Sequence, residues 1–134
     1  MTRIESKTVT VNHSAETIFN FLKDMNNLEQ LLPMDRLSNY SATETSSKFK
    51  VAGAAEINLA LHECTEFEKV SYKTQSGSTF PFTLNVSIKP LSDNQCEVSQ
   101  LAEAELNAFL KMMVEKPLTK LFDFIADRLP KALA

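Results

Sequence analysis

The sequence contains no tryptophan and only two glycines among its 134 residues. So few glycines cannot form the Gly-rich loop that surrounds a phosphate in many nucleotide-binding proteins, and a site of that class is excluded. No run of 18 apolar residues occurs, and residues 1–14 hold no apolar segment typical of a signal peptide. These absences predict a cytoplasmic protein without a membrane span.

Charge and cysteine exclude further classes. The net charge is −3 and the lysines and arginines form no cluster, which argues against nucleic acid or an anionic membrane surface as a partner. Cys64 and Cys96 are isolated, which predicts reduced thiols in strands, not a disulfide or a metal site. The composition, 43% hydrophobic and 23% charged, is that of an ordinary soluble protein, and the length predicts one domain over residues 1–134.

The clearest helical pattern lies near the end of the chain, from Asn107 to Leu129. Asn107 suits the N-cap, because its side-chain oxygen can accept a hydrogen bond from an unpaired N–H of the first turn. Such a helix is roughly 35 Å long, enough to cross a small domain. Apolar residues three or four positions apart form one stripe along it: Leu110, Val114, Leu118, Leu121, Ile125 and Leu129.

The chain before this helix predicts mostly strands. Arg3–Val11 alternates and is typical of a first strand. Ser14 is a suitable N-cap for a short helix ending near Asp24, and residues 28–32 predict a second short helix that Pro33 stops. Six further strands are predicted: Leu37–Thr43, Lys48–Ala52, Ala55–Glu63, Val70–Gln75, Thr79–Pro90 and Gln95–Leu106. Their short connections favour an antiparallel meander, whose apolar face the long helix must cover.

This order of elements resembles that of the START-like (SRPBCC) superfamily, which includes polyketide cyclases and birch-pollen allergens. The local match is residues 9–24. There a strand and a turn are followed by an acidic residue, Glu16, an aromatic residue, Phe19, and the sequence Leu-x-Asp that ends at Asp24. Ser14-Ala15 stands where many members have proline. The resemblance implies an α+β helix-grip fold: a seven-stranded curved antiparallel sheet, two short helices after the first strand, and a cavity beneath the long C-terminal helix. Members bind lipids, hormones, quinones or polyketides, and some are enzymes.

A cavity of this kind needs an occupant. A dry void costs roughly 24 cal/mol per Å³, so an empty space of about 300 Å³ would cost about 7 kcal/mol. The interior is therefore either filled by its own side chains or holds water or ligand. From strand alternation and the helix pattern, the candidate cavity-lining residues are Phe49, Val51, Leu59, Phe82, Leu84, Val86, Val98, Gln100, Phe109, Met112 and Met113.

Two groups among these candidates leave alternatives open. Gln100 is predicted to point inward, where its amide either orients a polar ligand group or bonds to backbone or water. Phe109, Met112 and Met113 either line a pocket mouth or a protein contact, or pack on the two short helices. Methionine suits surfaces that accept ligands of varied shape, and Pro117 can kink the helix just after them.

No set of catalytic residues stands out. Strand alternation places His62 on the solvent side unless a bulge intervenes, and His13 lies in a turn. No residues have the spacing of a metal site, and no cofactor is predicted. The leading hypothesis is binding or transport of a small apolar molecule by a monomer or homodimer. The alternatives are a polyketide cyclase- or dehydratase-like enzyme and a protein-interaction module that uses the Met-rich helix face.

Overall fold

The computed structural model describes residues 2–51 and 55–132 of the chain. Within these ranges, strands β1–β8 and helices α1 and α2 follow one another with two short 3-10 helices after α1. In chain order the elements are β1 (Thr2–Glu5), β2 (Val9–Val11), α1 (Ala15–Lys23), the 3-10 helices Met25–Gln30 and Met34–Arg36, β3 (Leu37–Ala42), β4 (Ser46–Val51), β5 (Ala55–Thr65), β6 (Lys69–Thr74), β7 (Phe82–Ser92), β8 (Gln95–Ala104) and α2 (Ala108–Ala132).

The strands form one antiparallel sheet in the order β1-β8-β7-β6-β5-β4-β3, with β2 also paired to β8. The predicted first strand is divided, because β1 and β2 occupy successive stretches of the same edge: Thr2 lies opposite Ala104, and Val9 lies opposite Val98. Between them the Ser6 N–H donates to the Gln100 carbonyl at 3.2 Å. The sheet therefore has seven strand positions, as predicted, and its first strand is interrupted.

The segment after β2 turns the chain across the sheet. The hydroxyl of Ser14 accepts from the Thr17 N–H at 3.1 Å and caps α1 as predicted. After α1, the Asp24 carboxylate accepts from the Asn26 N–H at 3.0 Å and begins a 3-10 helix. The second short helix thus starts earlier than predicted, at Met25, and is tighter than an α-helix.

Strand alternation correctly predicts the core side of β7 and β8. Phe82, Leu84, Val86 and Ile88 are buried on β7, and alternate residues are buried along β8 from Cys96 to Ala104. Strand β7 begins at Phe82, three residues later than predicted, because Pro81 has no N–H to give to a strand ladder. The buried row nevertheless extends back to Phe80.

Helix α2 covers one end of the sheet more fully than the other. It packs on β1, β2 and β8, whereas α1 packs on β6 and β7. Asn107 is its N-cap and accepts from the Leu110 N–H at 2.8 Å, and an ion pair between Lys7 and Asp127 ties it to the β1–β2 connection. The end of the sheet formed by β3 and β4 lies farther from the helix. This leaves a space between them.

Candidate functional site

A groove of about 310 Å³ opens between the middle of α2 and the β3–β4 end of the sheet. Its lining residues come from the residue before the second 3-10 helix, from β3 and β4, and from α2. They are Pro33, Leu37, Val51, Lys116, Pro117, Lys120, Leu121 and Phe124. Six of these eight side chains are apolar. The two lysines, one helical turn apart, are its charged members among the described side chains.

A much smaller void lies deeper, directly between the sheet and α2. Its volume is about 20 Å³ and its walls are apolar. At roughly 24 cal/mol per Å³ such a void costs only about 0.5 kcal/mol, so it can stay empty. The interior is therefore filled mainly by its own side chains. Leu121 lines both the groove and the void.

The sequence-predicted site residues fall into three places: the linings of the two spaces, the core beside them, and the surface of α2. Phe49, Leu59, Phe82 and Leu84 line the inner void, and Val51 lines the groove. Val86, Val98 and Gln100 are buried in the core without lining either space.

The third place is the surface of the first turns of α2. Phe109 and Met112 are 69% and 85% exposed, and Met113 is 41% exposed. None of the three lines the groove or the void. Helical spacing nevertheless places Met113 one turn before Pro117, on the side of α2 that continues into the groove.

Gln100 connects the sheet to α2. Its Nε2 donates to the Phe122 carbonyl at 3.1 Å and to Ser6 Oγ at 3.2 Å. Its buried Oε1 accepts no hydrogen bond from the described residues. In this structure the amide therefore bonds to backbone and to a serine hydroxyl, and one acceptor remains unused.

Burial favours the neutral form of three weakly acidic side chains, of which Tyr72 lines the inner void. Tyr72 Oη donates to the Leu22 carbonyl at 2.6 Å, and burial raises the pKa of the Tyr72 phenol strongly. Burial likewise raises the pKa values of Tyr40 and Cys96. A phenol or thiol whose pKa is raised by burial is a poor acid or nucleophile near neutral pH.

Neither histidine lies at the groove or the void. His62 is on β5 at an irregularity between Leu61 and Cys64, and its side chain is 43% exposed beside Glu63. Among residues 2–51 and 55–132, no group of three histidine, cysteine or acidic side chains is arranged to hold a metal ion. Within the same ranges, no helix has the length and apolar character needed to cross a membrane.

Sequence reasoning missed most of the groove. Pro33 and Pro117 were interpreted only as a helix stop and a helix kink, and Lys116, Lys120 and Phe124 were not identified as candidate residues. Their shared location depends on where α2 crosses the sheet, which a strand or helix pattern does not specify. For the inner void, the missed residues were Leu28, Leu32, Ile57, Tyr72, Leu121, Phe122 and Ile125. Of these, the predicted helix stripe and strand faces already placed Leu121, Ile125 and Ile57 in the interior.

Comparison with known proteins gives structural matches only. No protein-family model and no curated protein sequence matches this chain. A START superfamily protein from Mycobacterium smegmatis is 20% identical, with a TM-score of 0.66 over 96% of this chain and 97% of that protein. Norcoclaurine synthase from Thalictrum flavum, solved with dopamine and hydroxybenzaldehyde, is 16% identical, with a TM-score of 0.71 over 98% of this chain and 86% of the synthase.

A third match is the di-domain ARO/CYC BexL from the BE-7585A biosynthetic pathway. It is 10% identical, with a TM-score of 0.73 over 99% of this chain and 46% of BexL. Identities this low show a shared fold and not a shared activity. Together with the curved sheet and the long terminal helix, they establish that this chain has the helix-grip fold of START-like (SRPBCC) proteins.

Proposed function

We propose that this protein binds a small apolar molecule in the groove between α2 and the β3–β4 end of the sheet. The observation that carries the proposal is a space of about 310 Å³ with mostly apolar walls beside a core that is otherwise closed. That volume is at the lower end of the range for small-molecule sites. Cytoplasmic location and a monomeric or dimeric state remain parts of this proposal.

The energetics favour an apolar occupant of modest affinity. A ligand that removes about 200–300 Å² of apolar surface from water gains roughly 5–7.5 kcal/mol. Before the cost of association is subtracted, this gain corresponds to dissociation constants no tighter than a few micromolar, and that cost weakens binding further. Such affinity suits a carrier or sensor that must release its ligand.

Binding is favoured over catalysis by the chemistry of the lining. Among the described residues, neither the groove nor the void is lined by histidine, aspartate or glutamate. General acid–base catalysis most often uses such a group within hydrogen-bond reach of substrate, and less often a lysine or tyrosine. The phenol at the void donates to the Leu22 carbonyl, and the two lysines of the groove are exposed. The cyclase-like alternative therefore has weaker support than binding.

The test uses a groove-filling substitution. Leu37, half-buried at the start of β3, lines the groove, and Leu37→Trp would place an indole in it. Leu91→Trp is the matched control, because Leu91 is 45% exposed on β7 and outside the groove. The probe is 1-aminoanthracene, an uncharged fluorophore whose emission rises in apolar surroundings.

We expect the wild type and Leu91→Trp to bind the fluorophore equally and Leu37→Trp to bind it at least tenfold more weakly. Thermal melts of all three proteins check that each is folded. Wild-type protein without any fluorescence rise would contradict ligand binding. Unchanged binding by a folded Leu37→Trp would contradict the groove as the site.

A further inference from the structure

The two lysines of the groove are arranged as a pair. Lys116 and Lys120 are four positions apart on α2, so their side chains leave the helix on the same face. Both ammonium groups are on long methylene stems, which can line apolar walls while the charge stays at the rim in water. Apolar contacts alone do not require two neighbouring cations at the rim.

The acidic residues of α2 leave this pair without an ionic partner. Glu115 lies 3.7 Å from Lys111, and Asp127 pairs with Lys7. Asp123, one turn beyond Lys120, is the remaining acid of the helix. Within the described parts of the chain, no carboxylate lies within 4 Å of the ammonium of Lys116 or Lys120.

We propose that the groove selects apolar molecules that carry a terminal anionic group, and that Lys116 and Lys120 bind this group at the rim. The inference rests on the proposed binding function and specifies its ligand class. An apolar tail would lie against Leu37, Pro117 and Phe124 and point toward Leu121, with the anion outward. A carboxylate and a phosphate monoester share this chemistry.

The selectivity expected from two exposed lysines is modest. Exposed ion pairs contribute about 0.2–1 kcal/mol each, so loss of one lysine corresponds to an affinity loss of about 1.4- to 5-fold. The protein as a whole has a net charge of −3, so its long-range field opposes an anion. Any preference for the anion must therefore come from these nearby cations, and it should weaken as salt screens them.

The experiment measures displacement of 1-aminoanthracene by decanoate, decyl phosphate and decan-1-ol, which share a ten-carbon chain. Inorganic phosphate is included to show whether an anion without a chain competes. The variants are Lys116→Met, Lys120→Met and the double variant, since methionine keeps an unbranched side chain without the charge. Lys131→Met is the control, because Lys131 is exposed on the same helix about 16 Å beyond Lys120.

For wild-type protein we expect one or both anionic chains to bind about tenfold more tightly than decan-1-ol. The double variant should reduce that preference to about twofold or less without weakening decan-1-ol, and 1 M salt should reduce it similarly. Lys131→Met should behave as wild type. The relative affinities of decanoate and decyl phosphate identify which anion the pair prefers.

The selection of anions and the apolar groove itself are contradicted by different results. If decan-1-ol binds as tightly as both anions, or if the preference survives in the double variant, the selection of anions is wrong while the apolar groove stands. If none of the three chains displaces the fluorophore, the groove itself is wrong. Displacement by inorganic phosphate alone would show a surface anion effect and would also overturn the inference.

Discussion

Replacing Tyr72 with phenylalanine removes one hydroxyl from the middle of the core. Tyr72 is 1% exposed, and its Oη donates to the Leu22 carbonyl at 2.6 Å. Leu22 lies in the last turn of α1, where carbonyls have no partner within the helix. The N–H that would continue the helix, that of Asn26, donates to the Asp24 carboxylate instead. The phenol therefore satisfies a helix-end carbonyl that is otherwise buried without a donor.

Loss of this bond should be measurable. Leaving a buried carbonyl unpaired costs about 1–3 kcal/mol, and we expect the free energy of unfolding of Tyr72→Phe to fall by about 1.5 kcal/mol at pH 7. With an unfolding entropy of about 2.1 cal/mol/K per residue, this corresponds to a fall of about 5 °C in Tm. Urea unfolding and thermal melts would give both values.

The pH dependence provides a second, independent signature. Burial holds the pKa of Tyr72 in the folded protein above the ordinary value near 10, which the unfolded chain retains. The stability that Tyr72 contributes is therefore complete below about pH 10 and is lost as the pH rises above it, because only the unfolded state releases the proton. The slope is about 1.4 kcal/mol per pH unit. The deficit of Tyr72→Phe should shrink above pH 10 and vanish near pH 11.

Tyr40→Phe is the matched control. Burial raises the pKa of the Tyr40 phenol, and the nearby Ser47 hydroxyl opposes this with a smaller lowering effect. Neither hydroxyl forms a well-aligned hydrogen bond within the described residues. Removing an unsatisfied hydroxyl should change the stability at pH 7 by less than about 0.5 kcal/mol. If the two phenylalanine variants are equally stable at pH 7, or if the Tyr72→Phe deficit is constant from pH 8 to 11, the reasoning is refuted.

Three further substitutions test other parts of the structure by urea unfolding. Asn107→Ala should cost about 1 kcal/mol because it removes the N-cap of α2, and Asn107→Asp should cost clearly less; equal losses would contradict the cap. Replacing both Met112 and Met113 with serine should change stability by less than about 0.5 kcal/mol, whereas Val114→Ala, at a buried position, should cost about 1–2 kcal/mol. A large loss from the methionine variant would show that these side chains are packed. Gln100→Met should lower the free energy of unfolding by no more than about 1 kcal/mol. The substitution removes two hydrogen bonds, but it also removes a buried acceptor that has no partner among the described residues. A loss above about 3 kcal/mol would show that the amide holds α2 in place.

The fold could be predicted from the sequence because each of its parts has a local signal. Alternating residues give the strand faces of β7 and β8, and the apolar stripe from Val114 to Leu129 gives the buried side of α2. The division of the first strand between Glu5 and Val9 could not be predicted, since both halves alternate correctly. The interruption is specified by pairing with β8, which is a tertiary contact.

The candidate site could be predicted only in part, because a groove depends on the distance between elements. Alternation identifies Phe49 and Val51 as inward residues, but the first lines the void and the second the groove. The apolar character of Phe109 and Met112 predicts a pocket mouth, a protein contact or packing on the two short helices, and both side chains are exposed. Their role remains a prediction of the sequence.

Leu121 offers a way to enlarge the site deliberately, because it is the one residue that lines both the groove and the inner void among the described residues. Leu121→Ala should lower the free energy of unfolding by about 2–5 kcal/mol, since the residue is buried and its removal leaves a cavity. The same substitution joins the two spaces, so an apolar ligand could reach farther beneath α2. Part of the lost stability should then return on binding, and the rise in Tm caused by saturating 1-aminoanthracene should exceed that of the wild type.

Leu118→Ala separates this effect from simple destabilisation. Leu118 is 1% exposed on the same helix but lines neither space, so its truncation should cost a similar free energy without any added response to ligand. A ligand stabilises a protein only through its preference for the folded state. A larger ligand-induced rise in Tm for Leu121→Ala than for Leu118→Ala must therefore come from new contacts between the ligand and the enlarged space. If both variants lose stability equally and respond to the fluorophore as the wild type does, Leu121 does not separate groove from void, and the groove is shallower than its lining indicates.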